Sequence, residues 1–318
     1  MKIRSFCDAD VLGALSVVNA HLTGPYGGRI TPAMLFSRTF RGDTPHATIA
    51  LVGEETDGEV AAFCALCDGH GREPANRAQL EYFHVHSGPG AEQRRESLWS
   101  AFMGAMADWY STHIEIRSYT STGYILGVPE DDEAALAFFE SKGFAKRHCE
   151  AHYIFDASNA RSMAALPPDP TRDEHGYEYR ALYPTSLTHA RTARSIHRLC
   201  LGETKQGWAN QYRTPAAGPV VVVHSGDELV AFVGFTTSLE SPSLAWGAGP
   251  QLGPVLTSSA HRRRGIGKRM CAKVVHEVLR HGVPHVLLTT TKDGMPSELY
   301  RKIGFRYVRG WWEMRKEM

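Results

Sequence analysis

The stretch RRRGIG, residues 262–267, lies between an apolar segment that ends near Leu256 and a segment with helical periodicity. The apolar residues of the second segment recur every three or four positions up to Gly282, whereas the run that ends at Leu256 is typical of a strand. The pattern predicts a turn from a strand into a helix. Free N–H groups at a helix start, together with the helix dipole, favour an anion. Gly265 and Gly267 would let that anion approach the backbone closely.

The glycine spacing separates this loop from two other phosphate-binding loops. A P-loop needs a longer glycine spacing that ends in Gly-Lys-Ser/Thr, but Gly267 is followed by Lys268 and Arg269. Met270 occupies the place of the third glycine of a dinucleotide-binding fingerprint. The remaining pattern, Arg/Gln-x-x-Gly-x-Gly/Ala, resembles the acyl-CoA pyrophosphate loop of the GCN5-related N-acetyltransferases (GNAT). A solvated basic turn is the alternative interpretation of residues 262–264.

A second motif follows at the spacing of that family. The apolar, β-branched run from Val283 to Thr291 predicts a buried strand. A short helix comes next, with Pro296 near its first turn and Gly304 just past its end. Its sequence, SELYRKIGF at residues 297–305, is similar to the family's Leu-Tyr-x-x-x-Gly-Phe signature. The resemblance therefore covers the last part of the chain well and the remainder loosely.

The resemblance implies acyl transfer with acetyl-CoA as the co-substrate and without a metal. Its pantetheine arm would pair like an added strand with the backbone at residues 255–257, and its pyrophosphate would lie on the N–H groups of residues 264–268. Charge for the phosphates would come from Arg262, Arg263 and Lys268. The candidate cofactor-binding residues are Val255, Leu256, Thr257, Arg262, Arg263, Arg264, Gly265, Ile266, Gly267, Lys268 and Asp293.

Two positions depart from the family's pattern. Asp293 stands where the family usually has asparagine, and Pro296 stands where it usually has a small residue. An anionic side chain near the cofactor arm puts that contact in doubt. The alternative role for Asp293 is to cap the following helix.

Tyr300 is the predicted catalytic residue, because the resemblance gives it the place of the family's general acid. A phenol, with a pKa of about 10, can protonate a leaving thiolate whose parent thiol has a pKa of about 8.5. A tyrosine packed on an amphipathic helix is the alternative. The general base is not fixed by the sequence; Glu240 and Glu203 are candidates, with exposed surface carboxylates as the alternative reading.

Composition and charge exclude several other classes of protein. The chain has 318 residues, a formal net charge of +1 and a pI of about 7.7, which is no nucleic-acid footprint. It contains no apolar run of the length of a membrane span. Asp8 and Asp10 interrupt the place of a signal peptide's apolar region, so a cytoplasmic protein is expected.

The cysteine and histidine patterns do not predict a metal site. The six cysteines form no disulfide framework, and Cys64 and Cys67 lie three apart on a predicted strand, where their side chains would point to opposite faces. His84 and His86 share a strand face, but no third ligand accompanies them. A solvated or hydrogen-bonded histidine pair is the favoured interpretation.

The first half of the chain repeats the order of the second half. Hairpin-like strands flank Asp57-Gly58, and a strand, a helix from Gln93 to Tyr110, a strand and a helix then lead to Gly143-Phe144, which corresponds to Gly304-Phe305 half a chain away. The sequence predicts a duplicated domain: residues 1–158 form a degenerate GNAT-like domain, 159–175 a Pro-rich linker, and 176–318 the catalytic domain.

The special residues differ between the two halves. The predicted counterpart of the phosphate loop is QRRESL, residues 93–98, in which Glu96 and Leu98 replace the glycines. Phe139 replaces Tyr300 and has no proton to give. The first half is therefore expected to be structural or to bind substrate, with a nonproductive cofactor held by Arg94 and Arg95 as the alternative.

These observations lead to one expected fold and function. Two tandem GNAT-like domains of mixed α/β class are expected, each a twisted, largely antiparallel sheet flanked by helices. The function implied is acetyl transfer from acetyl-CoA to an amine of a small molecule, by a monomer or homodimer that engages neither nucleic acid nor membrane. A non-catalytic acyl-CoA-binding or regulatory protein is the alternative. Candidates for lining the acceptor pocket are Trp208, Tyr212 and Trp246, although scattered aromatics are more often core residues.

Overall fold

The computed structural model describes residues 1–21, 31–32, 35, 49–68, 77–107, 113–116, 127–184, 186–212, 218–237 and 249–318. The chain divides into two compact units. Met1–Glu150 and Gly310–Met318 belong to the first unit, whereas the described residues between Ala151 and Arg309 belong to the second. No helix in the described ranges is long and apolar enough to cross a membrane.

The first unit is built on an antiparallel sheet with helices packed against it. Its strands are β1 (Lys2–Ser5), β2 (Ile49–Glu54), β3 (Val60–Asp68), β4 (Arg77–Val85), β5 (His113–Ile116), β6 (Val128–Pro129), the beginning of β7 (Ala145–Asp156) and the end of β13 (Arg306–Glu317). Its helices are α1 (Val11–His21), which follows a 3-10 turn at Asp8–Asp10, α2 (Ala91–Ala105) and α3 (Glu133–Ser141).

The strand order in the first unit is β1-β2-β3-β4-β5, followed by the end of β13. Neighbouring strands are antiparallel except for β4 and β5, which run parallel from Arg77 opposite His113. The apolar side chains of α2 and α3 form the core against this sheet, including Phe102 and Phe139. The hairpin predicted at Asp57-Gly58 is confirmed, and Gly58 has φ 87°, which suits glycine.

The second unit contains the elements that surround the predicted phosphate loop. Its strands are β8 (Glu178–Leu182), β9 (Val220–Ser225), β10 (Glu228–Phe235), β11 (Leu252–Thr257) and β12 (His285–Thr291), with the end of β7 and the start of β13. Its helices are α4 (Ala160–Ala165), α5 (Leu187–Gly202), α6 (Gln206–Gln211), α7 (Ile266–Arg280) and α8 (Met295–Arg301), and a 3-10 turn lies at Ser259–His261.

The β-branched run VVVVHS of β9 forms the middle of an antiparallel sheet in the order β11-β10-β9-β8. The strand β12 pairs with β7 and meets β11 at an isolated parallel bridge between Gln251 and Leu287. The valines of α7 are fully buried against this unit's core, and Arg280 lies in its last turn, where a cation suits the helix dipole. The α7 helix thereby holds its first turn in a fixed position beside the end of β11.

The unit boundary differs from the predicted one. The chain passes into the second unit at Ala151, inside β7, and residues 310–318 belong to the first unit although the sequence placed them in the second. The sequence predicts no strand at residues 145–156 or 306–317, because charged side chains interrupt the alternation in both. Strand pairing with sequence-distant partners, such as Met314 opposite Ile116, decides their structure instead.

The predicted linker at residues 159–175 is part of the second unit. It contains α4, from which the Ser162 hydroxyl donates to the Gly304 carbonyl at 2.7 Å. Further along, the carboxylate of Asp169 pairs with the buried Lys273 ammonium of α7 at 3.0 Å. A Pro-rich segment lacks periodicity, yet its carbonyls and side chains can still be anchored, and the sequence pattern does not reveal this.

Candidate active site

The loop before α7 has the backbone geometry of an anion site. Gly265 is the N-cap of α7 with φ 75°, and Arg263 also has a positive φ, of 64°. The first amide to join the helical ladder is that of Arg269, which donates to the Gly265 carbonyl at 3.2 Å. Because the first N–H groups of a helix have no acceptor within it, the amides from Gly265 to Lys268 remain available to an anion.

A carboxylate from α5's C-cap holds the loop in place. Glu203 accepts a hydrogen bond from the Ser259 amide at 2.7 Å and pairs with the Arg262 guanidinium at 2.5 Å. Arg262 also donates through Nε to the Thr257 carbonyl at 3.1 Å. The Ser259 hydrogen bond, with Arg262 beside it, lowers the pKa of Glu203. Glu203 is therefore a weakened base in an ion pair, and the alternative of a catalytic base is disfavoured.

Two further arginines of this region form hydrogen bonds or ion pairs with other residues of the chain. Arg264 donates to the Tyr177 hydroxyl at 2.8 Å, and that hydroxyl lies 2.9 Å from Nδ1 of His261. Arg269 pairs with Glu174 and donates to the Arg264 carbonyl at 3.2 Å. The sequence does not predict the contact of Tyr177 with the loop, because its position early in the unit carries no motif.

Arg263 and Lys268 are the basic side chains left at the loop surface. Both are exposed, and neither forms an ion pair with any residue that the structure describes. The basic residues predicted to bind an anion therefore fall into two groups. Arg262 is engaged with Glu203 and orders the loop, whereas Arg263 and Lys268 can reach a ligand.

The strand before the loop presents an open edge. In the described part of the chain, β11 pairs with β10 along one edge, with Val255 opposite Val233 and Thr257 opposite Ala231. Along the other edge it meets β12 only near Gln251, where the Leu287 amide donates to the Pro250 carbonyl at 2.8 Å. Beyond that point the backbone from Leu252 to Thr257 can pair with an extended ligand chain.

Tyr300 lies on α8 and packs in the core of the second unit. It is 7% exposed, and its ring centroid lies 6.0 Å from that of Phe305. Burial raises the pKa of its phenol well above the ordinary value, and the nearby Cys271 adds to the rise. The phenol therefore stays protonated over the physiological pH range. Gly304, with φ 97°, ends this helix, and the Phe305 amide donates to the Tyr300 carbonyl at 3.1 Å.

Other predicted site residues are placed less centrally. Asp293 is exposed and does not cap α8, because Gly294 holds the N-cap position with φ 110° and no side chain accepts there. The suggested capping role for Asp293 is therefore wrong. Glu240 and Trp246 lie outside the described residues.

The remaining aromatic and metal-ligand candidates have structural surroundings. Tyr212 is buried with its ring centroid 5.0 Å from that of Phe232, and Trp208 stacks under the Lys205 ammonium at 5.6 Å. Within the described residues no group of three or more His, Cys, Asp or Glu side chains could hold a metal ion. Cys64 is fully buried, and the Cys67 side chain lies outside the described part.

The first unit contains the same helix entry at a position other than the predicted one. Its α2 helix begins at Ala91 with Gly90 as N-cap at φ 78°, and the Arg94 amide donates to the Gly90 carbonyl at 2.9 Å. Gly90 thus corresponds to Gly265, and Glu92 corresponds to Gly267. The predicted counterpart, residues 93–98, is wrong because it lies within α2.

The predicted alignment is wrong because it rests on matching polar side chains. The sequence register matched Gln93 to Arg262 by side-chain type, whereas the helix start is determined by the glycine with a positive φ. The arginine contact is also repeated: Arg94 Nη1 donates to the Pro89 carbonyl at 3.0 Å, as Arg269 does to that of Arg264.

The correspondence between Phe139 and Tyr300 is confirmed. The Phe144 amide donates to the Phe139 carbonyl at 3.0 Å, and Gly143 has φ 87°, which reproduces the turn at Gly304. The ring centroids of Phe139 and Phe144 are 5.4 Å apart. The first unit therefore has the same helix end without the phenol.

Comparison with known proteins identifies the fold. A family model described as "Acetyltransferase (GNAT) family" matches residues 183–305, which include the loop, β12 and α8. No curated protein matches the sequence.

Solved structures of similar fold span almost the whole chain. A GCN5-related N-acetyltransferase from Sphaerobacter thermophilus is 15% identical, with 99% of this chain and 95% of that one covered and a TM-score of 0.64. A tandem GNAT protein from the clavulanic acid biosynthesis pathway is 17% identical, with 99% and 98% covered and a TM-score of 0.67. A glucosamine N-acetyltransferase region of a fungal multi-domain β-N-acetylglucosaminidase is 15% identical, with 99% and 38% covered and a TM-score of 0.65. At these identities the likeness concerns the fold, which is the tandem GNAT fold.

Proposed function

Because residues 183–305 match the acetyltransferase (GNAT) family model, we propose that the second unit transfers an acetyl group from acetyl-CoA to an amine of a small molecule. The observation that carries this proposal is the start of α7, where free backbone amides follow Gly265 beside the open edge of β11. Phosphates favour such amides, and an extended pantetheine arm suits such an edge.

A side chain at either glycine of the loop would crowd the start of the helix. A Cβ built on Gly265 would meet Arg269 Nη1 at 2.8 Å, and one on Gly267 would meet Leu299 Cδ1 at 3.3 Å. In this proposal the amides from Gly265 to Lys268 hold the phosphates, and Arg263 and Lys268 add charge. The arm pairs along Val255, Leu256 and Thr257.

Acetyl-CoA would supply an acetyl group that is activated as a thioester. Tyr300 holds the proton that the leaving sulfur takes up as an amine attacks the carbonyl carbon. Its raised pKa keeps the phenol in the donating form. The base that accepts the amine's proton is left open, since Glu203 is held by Arg262 and Ser259.

The first unit is proposed to be degenerate, with a structural or substrate-binding role. Glu92 projects from the first turn of its helix, where the second unit has Gly267, and a carboxylate repels phosphate. Phe139 offers no proton. A non-catalytic acyl-CoA-binding or regulatory protein is the second candidate, favoured by this loss in one of two units. Tyr300 argues for catalysis, because a binder has no need of a proton donor.

The test is a screen of small-molecule amines with acetyl-CoA, with release of free thiol as the readout. Turnover above the rate without acceptor is expected for at least one chemical class of amine, with the acetylated product identified by mass. Calorimetric titration with acetyl-CoA accompanies the screen. Tight binding without turnover on any amine would select the non-catalytic candidate, and failure to bind acetyl-CoA would contradict both.

A further inference from the structure

A pocket lies beside β11, the strand along which the acyl arm is proposed to pair, and a basic hollow shares one of its lining residues. The pocket has a cavity volume of about 230 Å³ and lies over the junction of β10 and β11, with Tyr212, Gly234, Thr236 and Pro254 in its lining. This volume lies just below the usual range of small-molecule sites, roughly 300–1,000 Å³. Pro254 directly precedes Val255, where the acyl arm is proposed to pair.

Backbone irregularity and glycine open this pocket. The register of β10 and β11 shifts between Val233 and Phe235, so the intervening Gly234 lies at a bulge. A Cβ on Gly234 would lie 2.5 Å from the Tyr212 hydroxyl. Because Gly234 has no side chain, Tyr212 can form the wall of the pocket. The polar groups among the described lining residues of this pocket are uncharged.

A second hollow shares Tyr212 with this pocket and is basic. It has a cavity volume of about 490 Å³ and is open to solvent, and its other described lining residues are Arg194, His197 and Arg198 of α5. These three side chains stand at i, i+3 and i+4, so they project from one face of the helix. The two hollows share Tyr212 in their linings, so this residue borders both the bulge and the basic face.

The arginines of this basic face are not neutralised by a carboxylate of any residue that the structure describes. Arg194 and Arg198 are exposed, and within the described residues neither pairs with a carboxylate; Arg198 donates to the Ser195 hydroxyl at 3.4 Å. The α5 sequence LTHARTARSIHRLCLG contains no acidic residue. Like charges at these spacings destabilise a helix, so the cluster opposes folding unless an anion offsets it.

We infer that the acceptor is an anionic amine, whose carboxylate or phosphate binds Arg194 and Arg198 while its amine reaches the bulge at Gly234. This inference rests on the proposed function and specifies its substrate class. A guanidinium pair recognises either anion by charge-assisted hydrogen bonds. Polycationic amines are disfavoured by the same field.

The experiment compares amines that differ in one anionic group. Amino acids are paired with their C-terminal amides, and O-phosphoethanolamine is paired with ethanolamine, so the two arms distinguish carboxylate from phosphate. Thiol release is measured for the wild type, for Arg194→Gln with Arg198→Gln, and for Arg161→Gln, which removes an exposed positive charge elsewhere, on α4.

The wild type should show a KM for the anionic member of one arm lower by on the order of tenfold or more, the scale of one charged hydrogen bond. The double variant should raise that KM to the value of the neutral member. Its KM for acetyl-CoA should stay the same, its melting temperature should stay the same or rise slightly because a like-charge repulsion is removed, and Arg161→Gln should change nothing.

Equal kcat/KM for anionic and neutral members would overturn the inference and leave the proposed function standing. A raised KM for acetyl-CoA in the double variant, with the acceptor KM unchanged, would also overturn it, because the arginines would then bind the cofactor's phosphates. If no amine turns over, the proposed function fails by itself. The inference is then decided by calorimetric titration with an N-acetyl amino acid and an N-acetylated phosphoamine, where absence of binding to the wild type contradicts it.

Discussion

The starts of α2 and α7 have the same backbone path and different side chains. Gly90 and Gly265 cap their helices at φ 78° and 75°, and an arginine four residues later donates to the carbonyl before each glycine. The differences lie two residues to either side of these glycines. Glu92 stands where the second unit has Gly267, and Gly88 stands where it has the exposed Arg263. The fold's turn can thus persist after the chemistry of the site has changed.

A second difference follows the same rule. Phe139 and Tyr300 end equivalent helices, but a pocket beside Phe139 is lined by the buried carboxylate of Glu81, together with His84 and Arg95. Aligned from the bridge at Gln79 opposite Glu115, Glu81 corresponds to Gly253 of β11. The first unit therefore has an acidic side chain at a strand position where the second unit has a glycine.

The largest expected effect is that of Gly267→Glu, which copies Glu92 into the second unit. The new carboxylate would face the proposed phosphates, so acetyl-CoA binding should fall by on the order of 100-fold or more. Folding should not suffer, because an acidic residue in a first helical turn is stabilising by about 0.3–1 kcal/mol. Calorimetry and a thermal melt measure the two effects separately.

Gly267→Gln is the matched control for that variant. It has nearly the same shape without the charge, so it should retain more affinity than Gly267→Glu. Equal losses would assign the effect to bulk beside Leu299 rather than to charge. Unchanged affinity in Gly267→Glu would remove the phosphates from this helix start altogether.

Next in size is Tyr300→Phe, which gives the second unit the ring of Phe139. If the phenol is the acid, the rate of the chemical step should fall on the order of 10²-fold, with little change in acetyl-CoA affinity. Single-turnover measurement is needed, because product release can conceal a slower chemical step. Phe139→Tyr is the control and should leave the rate unchanged. A full chemical rate in Tyr300→Phe would demote Tyr300 to a packing residue.

The sequence predicted elements whose own residues determine them. The helix at Ile266–Arg280 and the turn at Gly304-Phe305 follow from apolar periodicity and a glycine with positive φ, both local features. The strand at Arg306–Glu317 was missed because its pairing with Ile116 depends on a partner far away in sequence. Contacts of that kind leave no periodic trace.

The site was predicted in the same uneven way. The loop glycines and Tyr300 were found because motifs carry them, and their roles stay predictions. The pairing of Glu203 with Arg262 could not be foreseen, since it joins the end of α5 to a loop far away in sequence. The counterpart loop was misplaced because Ser87 to Gly90 contains the glycines of a turn but not the family's basic first residue.

The smallest expected effects come from removing the shared glycines. Gly90→Ala and Gly265→Ala each place a Cβ on a left-handed residue, at about 1–2 kcal/mol, which lowers the melting temperature by a few degrees. Gly265→Ala should be the costlier variant, because its Cβ would meet Arg269 Nη1 at 2.8 Å, whereas Arg94 Nη1 lies 4.0 Å from a Cβ on Gly90.

The two alanine variants should differ more in binding than in stability. Displacing Arg269 disturbs its ion pair with Glu174 and the amides beside it, so only Gly265→Ala should weaken acetyl-CoA binding. Equal melting shifts with unequal affinity would support a turn that is common to both units and a site that is confined to one. A weaker affinity in Gly90→Ala would instead make the first unit's loop part of the cofactor site, and the proposal of a degenerate first unit would then be wrong.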